Sequence, residues 1–573
     1  MEGCRYPFAM EQKVWHKSYD PGVPAEVDFQ DISLIDYLDS ATEKFGDRPA
    51  VKFMNCCLNY SQLKDQVDRL ATALAGMGVQ KGTSVAVHLP NVPQTVISFY
   101  AIQRLGAKAV MTNPLYVPPE IEHQWNDASV ELAITADFLW DRHLKGMRDK
   151  LPVKNYIVTS IPDYLKFPLN LLAPLKLKKM DPPSWAKVAP EAGVHFFKKV
   201  IAESEPNPPQ VKCSMDDVAA LQYTGGTTGV SKGAQLTQRN ISFNVQQVRP
   251  WFTGVQEGEE VLLSCLPYFH IFGLTVCMNW PISAGACMVL MPNPRDIPMM
   301  VKNITKHKVT LFPALPALFN AINQYQGIED QDLSSVKYCF SGSAPLPEDV
   351  QRRFESLTGA IIVEGFGLTE TSPVLTVNPL QGNRKIGHIG IPVPSTEVKI
   401  VDPEDGLTEM PVGAEGELIA RGPQVMMGYL NMPDETAHMI RNNWIYTGDL
   451  AVVDEDGYFR ICGRKKDMII AGGYNIYPDE IDRALTDHPA ISEACTIGVP
   501  DESRGETVKS FVVFEEGKSA SEDELDQWCR DRLAAYKIPK GWEFRDELPK
   551  SSMMKLLRKD LRAEEEAKMQ GGS

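Results

Sequence analysis

The sequence predicts an α/β fold with a large multi-subdomain N-terminal domain, its sheets covered by helices, and a smaller α+β C-terminal domain. Three observations predict it. Helical and strand-like periodicities alternate along the N-terminal part, a pattern that implies sheets covered by helices. The 573 residues are enough for roughly three to four domain-sized units. The C-terminal stretch carries its own compact series of strand, turn and helix signals. No internal repeat or low-complexity tract interrupts the series.

Taken in order, Ser61 reads as a cap before Leu63, Val67, Leu70, Ala71 and Leu74, which fall at helical spacing until Gly76 and Gly78. Ser84–Leu89 is strand-like, Val96–Leu105 helix-like and Ala107–Met111 strand-like again. Asp163–Met180 (DYLKFPLNLLAPLKLKKM) mixes leucines with lysines, and its prolines break any long helix. Two readings stand for it: a surface connection that packs its leucines on the body, or a patch resting on an anionic membrane. Between Glu260 and Arg295 there is no charged residue, a length that invites a membrane span. Pro267, Gly273, Pro281, Gly285 and Pro292 interrupt it, so buried strands and turns are expected. In the C-terminal part, Pro478, Asp479 and Glu480 suit a first helical turn, with Ile481, Ala484 and Leu485 as its buried stripe. Ser521 and Glu524 form a capping box before Leu525, Trp528, Cys529 and Leu533.

The net charge of -16 argues against a nucleic-acid partner, which calls for a basic surface. The 11 cysteines are scattered and show no C-x-x-C spacing. Reduced core thiols in a cytoplasmic compartment are therefore expected. The opening MEGCRYPFAMEQKVW has an early acidic residue and no apolar core, so no secretory signal is expected.

The stretch YTGGTTGVSKG, Tyr223–Gly233, raises the question of chemistry. Gly225, Gly226 and Gly229 let backbone N–H groups turn inward, Thr224, Thr227, Thr228 and Ser231 add hydroxyls, and Lys232 adds positive charge for phosphate oxygens. Alone, such a loop is also readable as a solvated turn. The lysine is misplaced for a Walker motif, since Ser231 precedes it and Gly233 follows. A P-loop kinase or ATPase is disfavoured accordingly.

Further motifs follow: LPYFHIFG (266–273), SGSAPLP (341–347), EGFGLTE (364–370), WIYTGDL (444–450), GRKKDMIIAGGYNIYP (463–478) and LPKSSMMKLLR (548–558). In this order and spacing they resemble the adenylate-forming superfamily of acyl-CoA synthetases and luciferases. NPLYVPPEIEHQWNDA, NPRDIP and NNWIYTGDL make the chain most similar to bacterial long-chain fatty acid–CoA ligases. The resemblance implies an ATP- and Mg2+-dependent enzyme with coenzyme A as second substrate. A fatty acid carboxylate first takes AMP from ATP; the CoA thiolate then displaces the AMP. It also implies a domain 1–464 with the acyl and ATP sites and a mobile domain 465–573. A ligase for medium-chain or aryl acids is the nearest alternative, and a degenerate acyl-binding protein the non-catalytic one. Oligomeric state stays open.

By the same resemblance Asp449 holds the ribose hydroxyls, with Arg464 reaching the nucleotide. Asp449 is expected to face solvent before nucleotide arrives. Glu370 is the magnesium ligand and Thr369 contacts the α-phosphate. Gly342, Ser343, Ala344 and Pro345 together with Gly365, Phe366 and Gly367 wall the adenine slot. His270 and Phe272 border the acyl site, although a lone His in an apolar run is equally a core residue. Pro313–Phe319 is open to both an alkyl-lining and a packing role. Lys466 is the hinge, and Gly472, Gly473 and Tyr474 border the pantetheine path. Lys555 stabilises charge during adenylation. Met554 stands where the family usually has glycine, which leaves the conformation of this loop open.

Overall fold

The computed structural model describes residues 13–224, 231–471, 474–501, 505–551 and 555–571. They fall into two compact units, one of residues 1–397 and 421–445, the other of 398–420 and 446–573. The fold is mixed α/β with a larger N-terminal and a smaller C-terminal part.

The larger unit contains an eight-stranded and a nine-stranded sheet. In the first, Val218–Thr224, Lys108–Met111, Ser84–His88, Leu132–Ala136, Asn155–Thr159 and Val194–Phe196 run parallel. Lys232–Thr237 and Gly428–Tyr429 extend it antiparallel at one edge. In the second, Val261–Ser264, Leu311–Ala314, Tyr338–Ser341 and Ile361–Gly367 are adjacent and parallel. Parallel strands are covered on both faces, which is why these read as continuous apolar runs.

The helix Pro93–Arg104 shows that covering. Pro93 through Gln103 are all buried, and several of its polar groups find partners: Tyr100 donates to Asn279 Oδ1 at 2.8 Å and Gln103 to the Ala219 carbonyl at 3.0 Å. Buried polar groups need such bonds, since each unmet one costs about 1–3 kcal/mol.

Three expectations are corrected. The helix after residue 59 spans Tyr60–Gly76, and its cap is Asn59, not Ser61: Asn59 Oδ1 accepts from Gln62 N at 2.8 Å, and Gln62 Oε1 accepts from Asn59 N at 3.0 Å. The uncharged run after Glu260 is buried, but its middle is helical, with a single π turn at Thr275–Asn279. Asp163–Met180 does contain a helix, Leu169–Leu177, with Pro174 inside it and no buried residue. Leu165 ahead of the helix is buried, but the helix leaves Leu169, Leu171, Leu172 and Leu175 exposed, and Phe167 is exposed as well.

The smaller unit has a sheet built on Glu397–Val401, Gly416–Arg421, Trp444–Val453 and Phe459–Arg464, and a second built on Tyr474–Ile476, Ile469–Ala471, Gly505–Phe514, Ile491–Asp501 and Gly541–Phe544. The helix Pro478–Thr486 buries Ile481, Ala484 and Leu485 as its periodicity predicts. Ser521 Oγ accepts from Glu524 N at 3.2 Å, capping Glu522–Arg530.

Candidate functional site

In the larger unit the motifs gather where parallel strands end. LPYFHIFG follows Val261–Ser264, PALPALF begins within Leu311–Ala314, SGSAPLP follows Tyr338–Ser341, and EGFGLTE closes Ile361–Gly367. The carboxyl ends of strands in open α/β sheets are where ligands bind, because loops there converge on one edge. Adjacent motifs are tied together. Ser341 pairs in register with Glu364, whose Oε1 accepts from Leu346 N at 3.3 Å. A Cβ on Gly342 would lie 3.1 Å from the Phe272 ring, so the glycine lets SGSAPLP close on LPYFHIFG. Gly367 has a reason of its own: a Cβ there would meet the Pro373 carbonyl oxygen at 1.9 Å. Phe366 is half-buried, as are Ser343 and Thr369, while Ala344 and Pro345 are exposed.

His270 is half-buried and caps the turn Ile271–Leu274, its Nδ1 accepting from Phe272 N at 3.3 Å. Phe319 packs edge-to-face in the core, its ring centre 5.3 Å from that of Phe312 and 5.0 Å from that of Phe354. That contact gives PALPALF a packing role.

Thr224 ends Val218–Thr224 and pairs in register with Lys232, first residue of the next strand. Gly225, Gly226, Thr227, Thr228 and Gly229 lie outside the described residues. Gly233 answers to packing: a Cβ would sit 2.9 Å from Tyr223 Cζ, and the Tyr223 hydroxyl donates to Asp127 Oδ2 at 2.6 Å. Lys232 is only 9% exposed. Its ammonium is paired with Glu435 and lies 5.4 Å from the centre of the Tyr429 ring. Tyr429 in turn donates to Glu370 Oε1 at 2.6 Å. Burial, then the neighbouring Glu370, pushes the Tyr429 phenol well above its usual range, so it stays a donor.

Sequence reasoning missed Tyr429 and Glu435. Both come from the corner Gly428–Met439, brought to Lys232 by the pairing of Gly428–Tyr429 with Lys232–Thr237. Glu370 is buried on the turn Thr369–Thr371, and its carbonyl accepts from Met426 N at 2.8 Å. A magnesium ion held mainly by nucleotide phosphates asks the protein for one or two carboxylates. Glu370 fits that demand with one hard oxygen pair, oriented by Tyr429.

In the smaller unit, Asp449 and Arg464 face each other across antiparallel strands, with Arg464 Nε 2.7 Å from Asp449 Oδ1. Gly448 before it has φ of +69°, a left-handed turn that favours glycine. A register shift follows at Leu450/Ala451, the kind of irregularity that re-aims a side chain. Contrary to expectation Asp449 does not face solvent: it is 3% exposed, and Oδ2 has no hydrogen-bond partner among the described residues. Burial pushes its carboxyl up to about 6, against the pull of Arg464 and, more weakly, Lys555.

Lys466 is exposed in the turn Lys465–Asp467. Arg562 holds that turn, its Nη1 3.0 Å from Asp467 Oδ1. Lys555 is exposed, and its carbonyl accepts from Ser551 N at 2.8 Å. Arg558, three residues on, pairs with both Asp479 and Asp482 and donates to the Thr496 carbonyl at 3.2 Å. Gly472, Gly473 and Met554 lie outside the described residues, and nothing is described of the Tyr474 side chain. Arg558 and Arg562 were also missed, because their partners are far away in sequence.

Two α/β units, with glycine- and hydroxyl-rich loops at strand ends and a buried carboxylate with a spare acceptor, define a nucleotide-handling enzyme. Residues 38–430 match the AMP-binding enzyme family and 480–555 match the AMP-binding enzyme C-terminal domain. The chain belongs to the AMP-binding enzyme family. It is 43% identical over 557 residues to a long-chain-fatty-acid–CoA ligase of Bacillus subtilis, covering 97% of this chain and 98% of that one. It is 33% identical to 4-coumarate–CoA ligase 2 of Solanum tuberosum, covering 88% of each. Among solved structures, ATP-bound MatB from Rhodopseudomonas palustris superposes with a TM-score of 0.80 at 27% identity, covering 92% of this chain and 98% of that one. The anthranilate CoA ligase AuaEII with anthranoyl-AMP gives 0.83 at 25% identity, covering 96% and 99%.

Proposed function

We propose that this protein is an AMP-forming acyl-CoA synthetase that joins a long-chain fatty acid to coenzyme A. A carboxylate oxygen of the acid attacks the α-phosphorus of ATP, forming the acyl-adenylate as pyrophosphate leaves. The thiolate sulfur of CoA then attacks the acyl carbonyl carbon, and AMP leaves with the bonding electrons. The observation that carries the nucleotide half is Asp449: a buried carboxylate with one oxygen held by Arg464 and the other without a hydrogen-bond partner among the described residues suits a ribose hydroxyl donor. The acid class rests on the near-full-length likeness to relatives of that name.

In this reading Lys232 and Thr224 meet phosphate oxygens, and Thr369 the α-phosphate. Glu370 holds magnesium, which neutralises phosphate charge when bound. Lys555 acts in adenylation and the hinge lies at Lys466, between domains 1–464 and 465–573. A hinge suits two half-reactions that need different partners in turn. Pyrophosphate release and thioester mass analysis over acids of graded length, with aryl acids included, test the assignment. A maximum on 4-coumarate or on medium chains would replace the long-chain reading.

The helix Leu169–Leu177 supports a finer reading, contact with an anionic membrane. Phe167, Leu171, Leu172 and Leu175 are exposed together with Lys166, Lys176, Lys178 and Lys179, the composition of an interfacial helix. Among the described residues no helix is long and apolar enough to cross a membrane.

A further inference from the structure

The corner that brings Tyr429 to Glu370 also brings a carboxylate to which the two half-reactions above give no part. Glu435 is 203 residues from Lys232 in sequence and pairs with its ammonium. The corner holds Glu435 in place rather than leaving it to drift. Thr436 Oγ1 accepts from Tyr429 N at 2.9 Å and donates to the Met432 carbonyl at 2.9 Å. Leu430 N donates to the Gly233 carbonyl at 2.8 Å, fastening the corner to the strand that Lys232 begins. Gly428, at φ of +145°, would put a Cβ 2.8 Å from Thr436 Cγ2, so a side chain there would push the corner apart.

The two partners differ in what they need. The Lys232 side chain is 11% exposed and that of Glu435 is 40% exposed. A lysine so buried needs an anion at all times, because an unpaired buried charge is costly. A carboxylate with that much solvent access gives up its partner to water at small cost. An incoming phosphate can therefore take Lys232 from Glu435 without stranding either charge. Lys232 holds the Glu435 carboxyl below its usual range, so it is ionised, and an ionised carboxylate beside bound phosphate repels it.

We propose that Glu435 is the resident counter-ion of Lys232: a positioning residue, displaced by the β- and γ-phosphates of ATP, that weakens the hold on pyrophosphate and speeds its departure. This rests on the reading of Lys232 as a phosphate ligand. A purely structural ion pair would join the strand Lys232–Thr237 to the helix Pro433–Met439 and leave ligand affinity alone.

Calorimetric titration of the full chain with magnesium pyrophosphate and, separately, with AMP tests it. Glu435→Gln is expected to bind pyrophosphate about tenfold tighter, the scale of one hydrogen bond to a charged group. AMP affinity should not change, and single-turnover pyrophosphate release should slow. Glu435→Asp should move back towards the parent behaviour. In a Lys232→Ala background, Glu435→Gln should lose the part of its effect that comes from competition for the Lys232 ammonium and keep only the relief of direct repulsion, so the two changes should not add. Equal or weaker pyrophosphate binding by Glu435→Gln overturns the proposal, as does an equal shift for AMP and pyrophosphate. If Lys232→Ala leaves pyrophosphate affinity unchanged, the phosphate role of Lys232 is wrong and the proposal goes with it. If Lys232→Ala weakens binding and Glu435→Gln does nothing, only the counter-ion role is lost.

Discussion

Arg464 pairs with one oxygen of the Asp449 carboxylate, Nε to Oδ1 2.7 Å, from the register position directly opposite it, and Oδ2 is buried with no hydrogen-bond partner among the described residues. The pairing orients the carboxylate, while burial raises its affinity for a proton. Both effects bear on how the site meets nucleotide and on how stability varies with pH.

Asp449→Asn is expected to weaken ATP and AMP binding by about 1.5–3 kcal/mol, the value of a hydrogen bond to a charged group. Its effect on stability has the opposite sign. Burial pushes the folded carboxyl up to about 6, above the ordinary carboxylate value of 3.8. Such an acid contributes no penalty below its unfolded pKa and destabilises the fold as pH rises through 6. The asparagine protein should therefore gain in melting temperature more at pH 8 than at pH 5. Calorimetry and thermal melts check both halves; unchanged nucleotide affinity in the folded variant would remove the ribose assignment.

Lys555→Ala should lose pyrophosphate release by on the order of a hundredfold to a thousandfold, the usual effect of removing one preorganised charge. Conversion of supplied acyl-adenylate and CoA to thioester should persist. Separate assays of the two half-reactions measure this. Loss of both together in a folded variant counts against alternation between two domain positions.

Arg558→Ala should destabilise the smaller unit by about 3–5 kcal/mol, because it leaves buried carboxylates without their cation. Burial already pushes the Asp482 carboxyl up to about 7, with Arg558 opposing. Its penalty therefore grows as pH rises through 7, and the loss of Arg558 should cost more at pH 8 than at pH 5. Denaturant melts at the two pH values give the comparison; equal losses would show that Asp482 is not the group left exposed to the change.

Replacing Lys166, Lys176, Lys178 and Lys179 by Gln should release the protein from anionic vesicles. Each lysine near such a surface contributes roughly 1 kcal/mol, screened by salt. Co-sedimentation with phosphatidylserine-containing liposomes at low salt reads the effect, and activity on soluble acids should stay the same. Equal sedimentation of both proteins removes the membrane role.

The local elements were legible because their signals are contiguous. Leu63, Val67, Leu70 and Leu74 repeat at helical spacing and all are buried in Tyr60–Gly76. The placement of that helix start was not: Asn59 and Ser61 are both capping residues, and only the backbone geometry selects Asn59. The helix Leu169–Leu177 escaped because Pro174 argues against it, yet proline removes only one bond near a short helix's end.

By itself the sequence determined the α/β class, the order of the motifs and the residue types offered to nucleotide, since each is written in neighbouring positions. Tertiary structure alone decided which charges meet. Glu435 finds Lys232 and Tyr429 finds Glu370 through the edge strand Gly428–Tyr429, and Arg558 finds Asp479 and Asp482 across the smaller unit. It also decided that Asp449 is buried rather than exposed. The reason is physical: burial and ion pairing depend on which distant strands pack together, and no local periodicity records that choice.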